Sequence, residues 1–230
     1  MNESLNEKIE EIRKGIERGD EKARKEFWRL VGKIKRGEIS LTAANIEEIS
    51  GIRDRLFGRR VVLSVRAGSI IFPAGFLLSL LIFIWSNLLR ENAYTFLYII
   101  FSELSAIYFG FLTGRLLGGV VSGIGFEGFY RYSPLEFGVK VSYPAYLRAS
   151  QKRRVMLYAT TFFFQGMVMV GLVAIAYALN PQVILIPLGF LLLWLIGSIA
   201  IHYIAKTGEF HRLLRELRIA MEGASVKRKG

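Results

Sequence analysis

From Ala67 to Leu89 the chain runs without one charged residue. At 1.5 Å of rise per residue a helix over this block is roughly 34 Å long, enough to cross a hydrocarbon core of about 30 Å. In a soluble domain the apolar residues would be interspersed at helix or strand period rather than gathered into a block, so a soluble globular enzyme is excluded. Three further blocks behave the same way: Ala93 to about Ile124, Val155 to Leu179 and Val183 to about Ala205. The expected fold is all-α, a polytopic membrane protein with transmembrane helices over 67–89, 93–124, 155–179 and 183–205. Arg90, Glu91 and Asn92 join the first two spans, and Asn180, Pro181 and Gln182 the last two. Links this short make each pair an antiparallel hairpin. The chain has no cysteine, which excludes a disulfide-stapled domain.

Two hairpins leave residues 1–66, 125–154 and 206–230 on one side of the bilayer. Those parts hold 29 of the 31 Lys and Arg residues, all but Arg90 and Arg115. The positive-inside bias therefore predicts a multi-pass cell-membrane protein with both termini cytoplasmic. Topology alone accounts for the formal net charge of +12, so nucleic acid is not called for. Basic clusters at Arg59-Arg60, Lys152-Arg153-Arg154 and Lys227-Arg228-Lys229 flank the spans, and each cation near an anionic leaflet contributes about 1 kcal/mol to anchoring. Anionic lipid headgroups are the partners this implies. Trp85, Tyr94 and Tyr98 cluster near the outer turn and Tyr203 near the inner end of the fourth span, as interfacial aromatics do. The first residues are Lys/Glu-rich, so the first span is expected to act as its own insertion signal rather than follow a cleavable one. Soluble parts rich in Lys, Glu and Arg fit a thermophile.

Residues 3–57 read as three short amphipathic helices. Leu5, Ile9, Ile12 and Ile16 form one stripe; Ala23, Phe27, Leu30, Val31 and Ile34 a second, with Asp20 as N-cap and Gly37 as terminator; Ile46, Ile49, Ile52 and Leu56 a third, capped by Ser40 or Thr42 and ending at Gly58. Stripes this thin need something to dock on, either the chain's own membrane domain or a partner. The loop 125–154 interleaves aromatics with Arg131, Lys140 and Arg148. Within it Phe137, Val139, Val141 and Tyr143 alternate at strand period, predicting one short extended piece. Rings and cations together suit the headgroup layer, as packing or as a lipid-phosphate site. The tail reads as an interfacial helix, with Phe210, Leu213, Leu214, Leu217 and Met221 on one face and Arg212, Arg215 and Arg218 on the other.

The second span carries Ser102, Ala106, Gly110, Gly114, Gly118 and Ser122 at a strict spacing of four. Small residues so placed let two helix backbones approach closely, within the chain or between two copies. Glu103 lies roughly 15 Å deep, and Gln165 on the third span lies at a similar depth. A carboxyl group there costs at least about 2.5 kcal/mol unless it is protonated or partnered. Interhelical glue between Glu103 and Gln165 is one reading; a proton or cation relay is the other. Arg115 and His202 fall near the inner interface, where they snorkel or, with Arg131, form an anion site.

Several motifs fail their context. Gly123, Gly125 and Gly128 spell G-x-G-x-x-G after a membrane helix rather than a strand, Ser198 and His202 lack oxyanion donors, and no H-E-x-x-H is present. No cofactor, metal site or catalytic residue is expected. The leading expectation is a non-catalytic membrane subunit or scaffold, as a homo-oligomer or within a larger complex, that engages a partner through its cytoplasmic helices. A small transporter using Glu103 is the alternative, and an enzyme acting on lipid phosphates the third.

Overall fold

The computed structural model describes residues 2–58, 60–89, 93–133 and 136–227. The expected link Arg90, Glu91 and Asn92 lies outside them, as do Arg59 of the first basic cluster and Arg228 and Lys229 of the third. The chain is mostly helical. In order it forms α1 (Asn2–Glu17), α2 (Glu21–Arg36), α3 (Ala43–Phe57), β1 (Val61–Leu63), α4 (Val65–Leu88), α5 (Ala93–Ser122), β2 (Phe126–Ser133), β3 (Glu136–Val141), α6 (Tyr143–Arg148), α7 (Gln151–Leu179), a 3-10 turn (Pro181–Val183), α8 (Leu185–Ile204) and α9 (Gly208–Lys227).

Among the described residues, four helices are long and apolar enough to cross a membrane: α4, α5, α7 and the stretch Pro181–Ile204 that contains α8. This is the make-up of a multi-pass membrane protein. α5 packs along both α4 and α7, and Phe83, Ile99 and Leu172 fill the seam between these three helices.

The three N-terminal helices form where the stripes predict, with chain signals at their ends. Asp20 accepts the Lys22 amide at 2.8 Å to cap α2, Gly37 ends it at φ +79°, and Thr42 with Asn45 makes a capping box for α3. Their apolar faces are used within the chain. Ile9, Phe27, Val31 and Ile49 share one core with Tyr146 and Leu147 of α6, Leu157 of α7 and Leu213 of α9. The cap thus docks on the lower ends of the chain's own long helices.

One extended piece was expected and three strands are present, in an antiparallel sheet of order β1-β2-β3. Phe129 faces Val139 across β2 and β3, and both are buried. The sheet exists because α4 makes room for it: a Cβ on Gly68 would fall 2.0 Å from the Phe129 ring, which also lies 4.6 Å from the Phe72 ring. Glycines and aromatics hid β2 from strand periodicity.

Candidate functional site

In the bundle interior the small residues of α5 face α7 of the same chain. An added Cβ on Gly118 would come within 2.5 Å of the Leu157 carbonyl oxygen, on Gly114 within 2.9 Å of the Phe164 ring, and on Gly110 within 3.4 Å of Val168. At Gly118 and Gly114 backbone lies against backbone, while Gly110 meets side chains of Phe76 and Val168. The Thr161 hydroxyl donates to the Leu157 carbonyl at 3.0 Å and reaches the Gly114 carbonyl at 3.4 Å. Ser102, Ala106 and Ser122 are buried as well, and Ser102 donates back to the Tyr98 carbonyl at 2.6 Å.

Glu103 and Gln165 do not meet. Gln165 donates through Nε2 to the Ile107 carbonyl at 3.3 Å, while its Oε1 and both carboxyl oxygens of Glu103 are buried without partners. The register explains why. Gly118 faces Leu157, Gly114 faces Thr161 and Ile107 meets Gln165, so Glu103, a turn beyond Ile107, falls at least one turn past Gln165 on α7, between Met169 and Leu172. Counting from the helix ends puts the two residues at equal depth, whereas the close approach of α5 to α7 sets the actual stagger. Glu103 is fully buried beside an apolar cluster that includes Phe83, Ile99 and Leu172.

At the sheet end of the bundle the charges interlock. Arg115 does not snorkel; it is buried and pairs with Glu209 of α9, which Arg212 also approaches at 3.4 Å. His202 and His211 set their Nδ1 atoms 3.1 Å apart, so one ring must donate to the other. Burial lowers the His211 pKa, with His202 and Arg215 adding to the effect. Arg131 is exposed on β2, and the expected trio of Arg115, His202 and Arg131 is dispersed among these separate contacts. Lys140 binds Glu127 at 2.6 Å and Asp54 at 3.1 Å; Arg148 is exposed and meets Glu47 at 3.1 Å. Lys152 is exposed, Arg153 lies against Gly123, and Arg154 is buried.

Arg154 belongs to a knot that ties the cap to the long helices. Lys35 of α2 donates to Glu216 of α9 at 2.6 Å and to the Tyr146 hydroxyl of α6 at 2.8 Å; the same hydroxyl donates to Glu216 at 2.7 Å. Arg154 of α7 faces Glu216 at 3.4 Å and donates to the Ala149 and Lys35 carbonyls. Burial pulls the Lys35 ammonium down to about 8 against the attraction of Glu216. Burial works to raise the Glu216 carboxyl, but Lys35 and the Tyr146 hydroxyl outweigh it and hold the group below its ordinary range.

Sequence reasoning missed Lys35 and Glu216, and a signal was present for each. Lys35 stands four residues after Val31 and Glu216 three after Leu213, so each falls on an apolar stripe where a charge needs a partner. The tail is rotated accordingly: Leu213 and Glu216 face inward, and Leu217 and Met221 are exposed.

Among the described residues, two concave spaces bear on the site. A recess of about 510 Å³ lies where α2, α3, β2, β3, α6, α7 and α9 meet, with Lys35, Arg53, Arg212, Arg215 and Tyr143 in its wall. A cleft of about 420 Å³ separates α5 from α8, lined by Leu104, Tyr108, Gln165, Trp194, Ser198 and Phe210 among others. No group of three or more His, Cys, Asp or Glu suited to a metal is found among the described residues. No family model, no curated protein and no solved structure matches the chain.

Proposed function

We propose that the protein is a non-catalytic integral membrane subunit or scaffold. Its four spans form two antiparallel hairpins with both termini cytoplasmic, and its cytoplasmic cap is the surface that meets a partner. The observation that carries this reading is the knot of Lys35, Tyr146, Arg154 and Glu216, in which α2, α6, α7 and α9 share one buried carboxylate. A cap held this way moves with the spans, so a partner on its outer face acts on the membrane domain through a rigid connection. The exposed cations Lys152, Arg153 and Arg148 sit where anionic headgroups would meet them. The one-sided distribution of Lys and Arg supports the topology. Two tests apply. Cysteines placed at Asn92 and at Ser150 should react with an impermeant reagent from opposite faces of a sealed vesicle, and labelling of both from one face defeats the topology. Liposomes carrying the protein should hold a pH gradient as long as empty ones do; a gradient that collapses defeats the scaffold reading.

One observation favours a second reading, a proton or cation relay. Both carboxyl oxygens of Glu103 are buried and unpartnered, and Ser86, Asn87, Thr95 and Ser102 supply further buried polar groups toward the end of the bundle away from the sheet. An ionisable residue so placed marks a pathway when it has no structural partner. Flux that Glu103→Gln abolishes while the fold survives establishes this reading; flux that persists unchanged in the variant removes it.

A further inference from the structure

We infer that the recess between the cap and the lower ends of α7 and α9 is a binding site for a phosphate group, carried by a soluble molecule or by a lipid headgroup. The inference goes beyond the scaffold and relay readings: it shares Lys35, Arg154 and Glu216 with the knot, but it turns on Arg53, Arg212, Arg215 and Tyr143, which neither reading uses.

The charge balance comes first. Among the described residues, Lys35, Arg53, Arg115, Lys140, Arg154, Arg212 and Arg215 form ion pairs with Asp54, Glu127, Glu209 and Glu216. The pairs fall into three networks, of which those around Glu209 and Glu216 carry one and two surplus positive charges, and four of the seven cations line the recess. Two of the wall cations hold their carboxylates loosely: Arg212 is 3.4 Å from Glu209 and Arg215 is 3.5 Å from Glu216. Guanidinium groups with spare donors are the common partner of phosphate, since their planar fork matches its oxygens.

A second observation is independent of the charge count. Tyr143 lines the recess, is 6% exposed, and its hydroxyl is buried with no hydrogen-bond partner. A buried donor left unmade costs roughly 1 to 3 kcal/mol, which an acceptor in the recess would recover. Arg53 stacks over the Tyr143 ring at 5.1 Å and over the Phe57 ring at 4.6 Å, so its guanidinium is held in place rather than free to swing. The volume of about 510 Å³ suits a small organic ligand, and the half-exposed Trp28 and Arg215 leave the recess open to solvent.

The test uses the full chain in nanodiscs of phosphatidylcholine, titrated calorimetrically with inorganic phosphate and with pyrophosphate, beside nanodiscs that also contain phosphatidic acid. Binding of the soluble ions with a rise in melting temperature assigns the site to a soluble phosphate compound. A rise confined to the phosphatidic acid discs, reduced by the same variants, assigns it to a headgroup. Arg53→Gln and Arg215→Gln should each weaken binding about tenfold or more, and Tyr143→Phe, which keeps the ring and removes the donor, about threefold to tenfold. Arg24→Gln, on the exposed face of α2, should leave it unchanged, and apo melting curves establish that each variant is folded. Absence of any response in all three titrations overturns the inference. So does binding that the recess variants leave intact, or that Arg24→Gln weakens as much as they do.

Discussion

α5 is the least apolar of the four long helices and α8 the most, yet their burial runs the other way. Within the most apolar stretch of α5, 39% of residues are buried inside the protein; for Pro181–Ile204 the share is 6%. Hydrophobicity inserts a helix in lipid but gives it no reason to prefer a neighbouring helix to a lipid chain. Small residues supply that reason. Gly110, Gly114 and Gly118 bring α5 against α7, whereas an added Cβ at Gly189 or Gly197 of α8 would meet nothing within 4 Å. α8 reaches the rest through aromatic contacts, with Trp194 stacked 5.0 Å from Phe162 and His202 edge-on to Phe210 at 5.5 Å. The knot at the sheet end widens the contrast, because it grips α7 through Arg154 and includes no residue of α8.

The largest effect is expected at that knot. Glu216→Gln leaves Lys35 and Arg154 buried without their counter-charge, and should destabilise the protein by about 3 to 5 kcal/mol and expose α2 to protease or hydrogen exchange. If α2 stays protected in the variant, the grip on α7 comes from apolar packing alone. Acid acts on the same group. Its folded-state pKa lies below the ordinary 4.5, so its contribution is present above pH 4.5 and is lost as pH falls through the lower, folded value. Cap release measured against pH should show this step in the native protein and lack it in Glu216→Gln.

Next in size is Gly118→Leu, where the side chain must displace the Leu157 backbone and crowd the Thr161 hydroxyl; a loss of about 3 kcal/mol is expected from melting in detergent. An unchanged midpoint would mean that the approach of α5 to α7 does not hold the bundle together. At Glu103 the sign reverses. Because no hydrogen bond to Gln165 exists to be broken, Glu103→Leu removes two unpartnered oxygens and should stabilise the bundle by roughly 1 to 3 kcal/mol, while Glu103→Gln changes it less. A clear loss in the Leu variant would show that Glu103 has a partner in the membrane. The smallest effect belongs to α8: Gly197→Leu should shift stability by no more than about 0.5 kcal/mol. A loss comparable to that at Gly118 would erase the contrast between the two helices.

Much of the molecule follows from local rules that a sequence expresses directly. Span positions depend on transfer of apolar blocks out of water, and the cap helices on stripe period and on Asp20, Gly37, Thr42 and Gly58 at their ends, so the four long helices and α1 to α3 were legible residue by residue. Alternation through Phe137 to Val141 disclosed β3 but not its partners. Phe129 can lie against α4 only because Gly68 lacks a side chain, and that relation spans sixty residues of chain. The candidate sites were less visible for the same reason. Glu103 and Gln165 were each recognisable as costly in lipid, but whether they meet depends on the stagger of α5 against α7, which backbone contact at Gly114 and Gly118 decides. Lys35 and Glu216 stand 181 residues apart, and the Lys and Arg residues of the recess come from three different helices. Sequence determined which faces were apolar, which side was basic and where small residues allowed close approach. Only the tertiary structure decided which faces meet, because pairing energies arise between surfaces that no local pattern of spacing brings together.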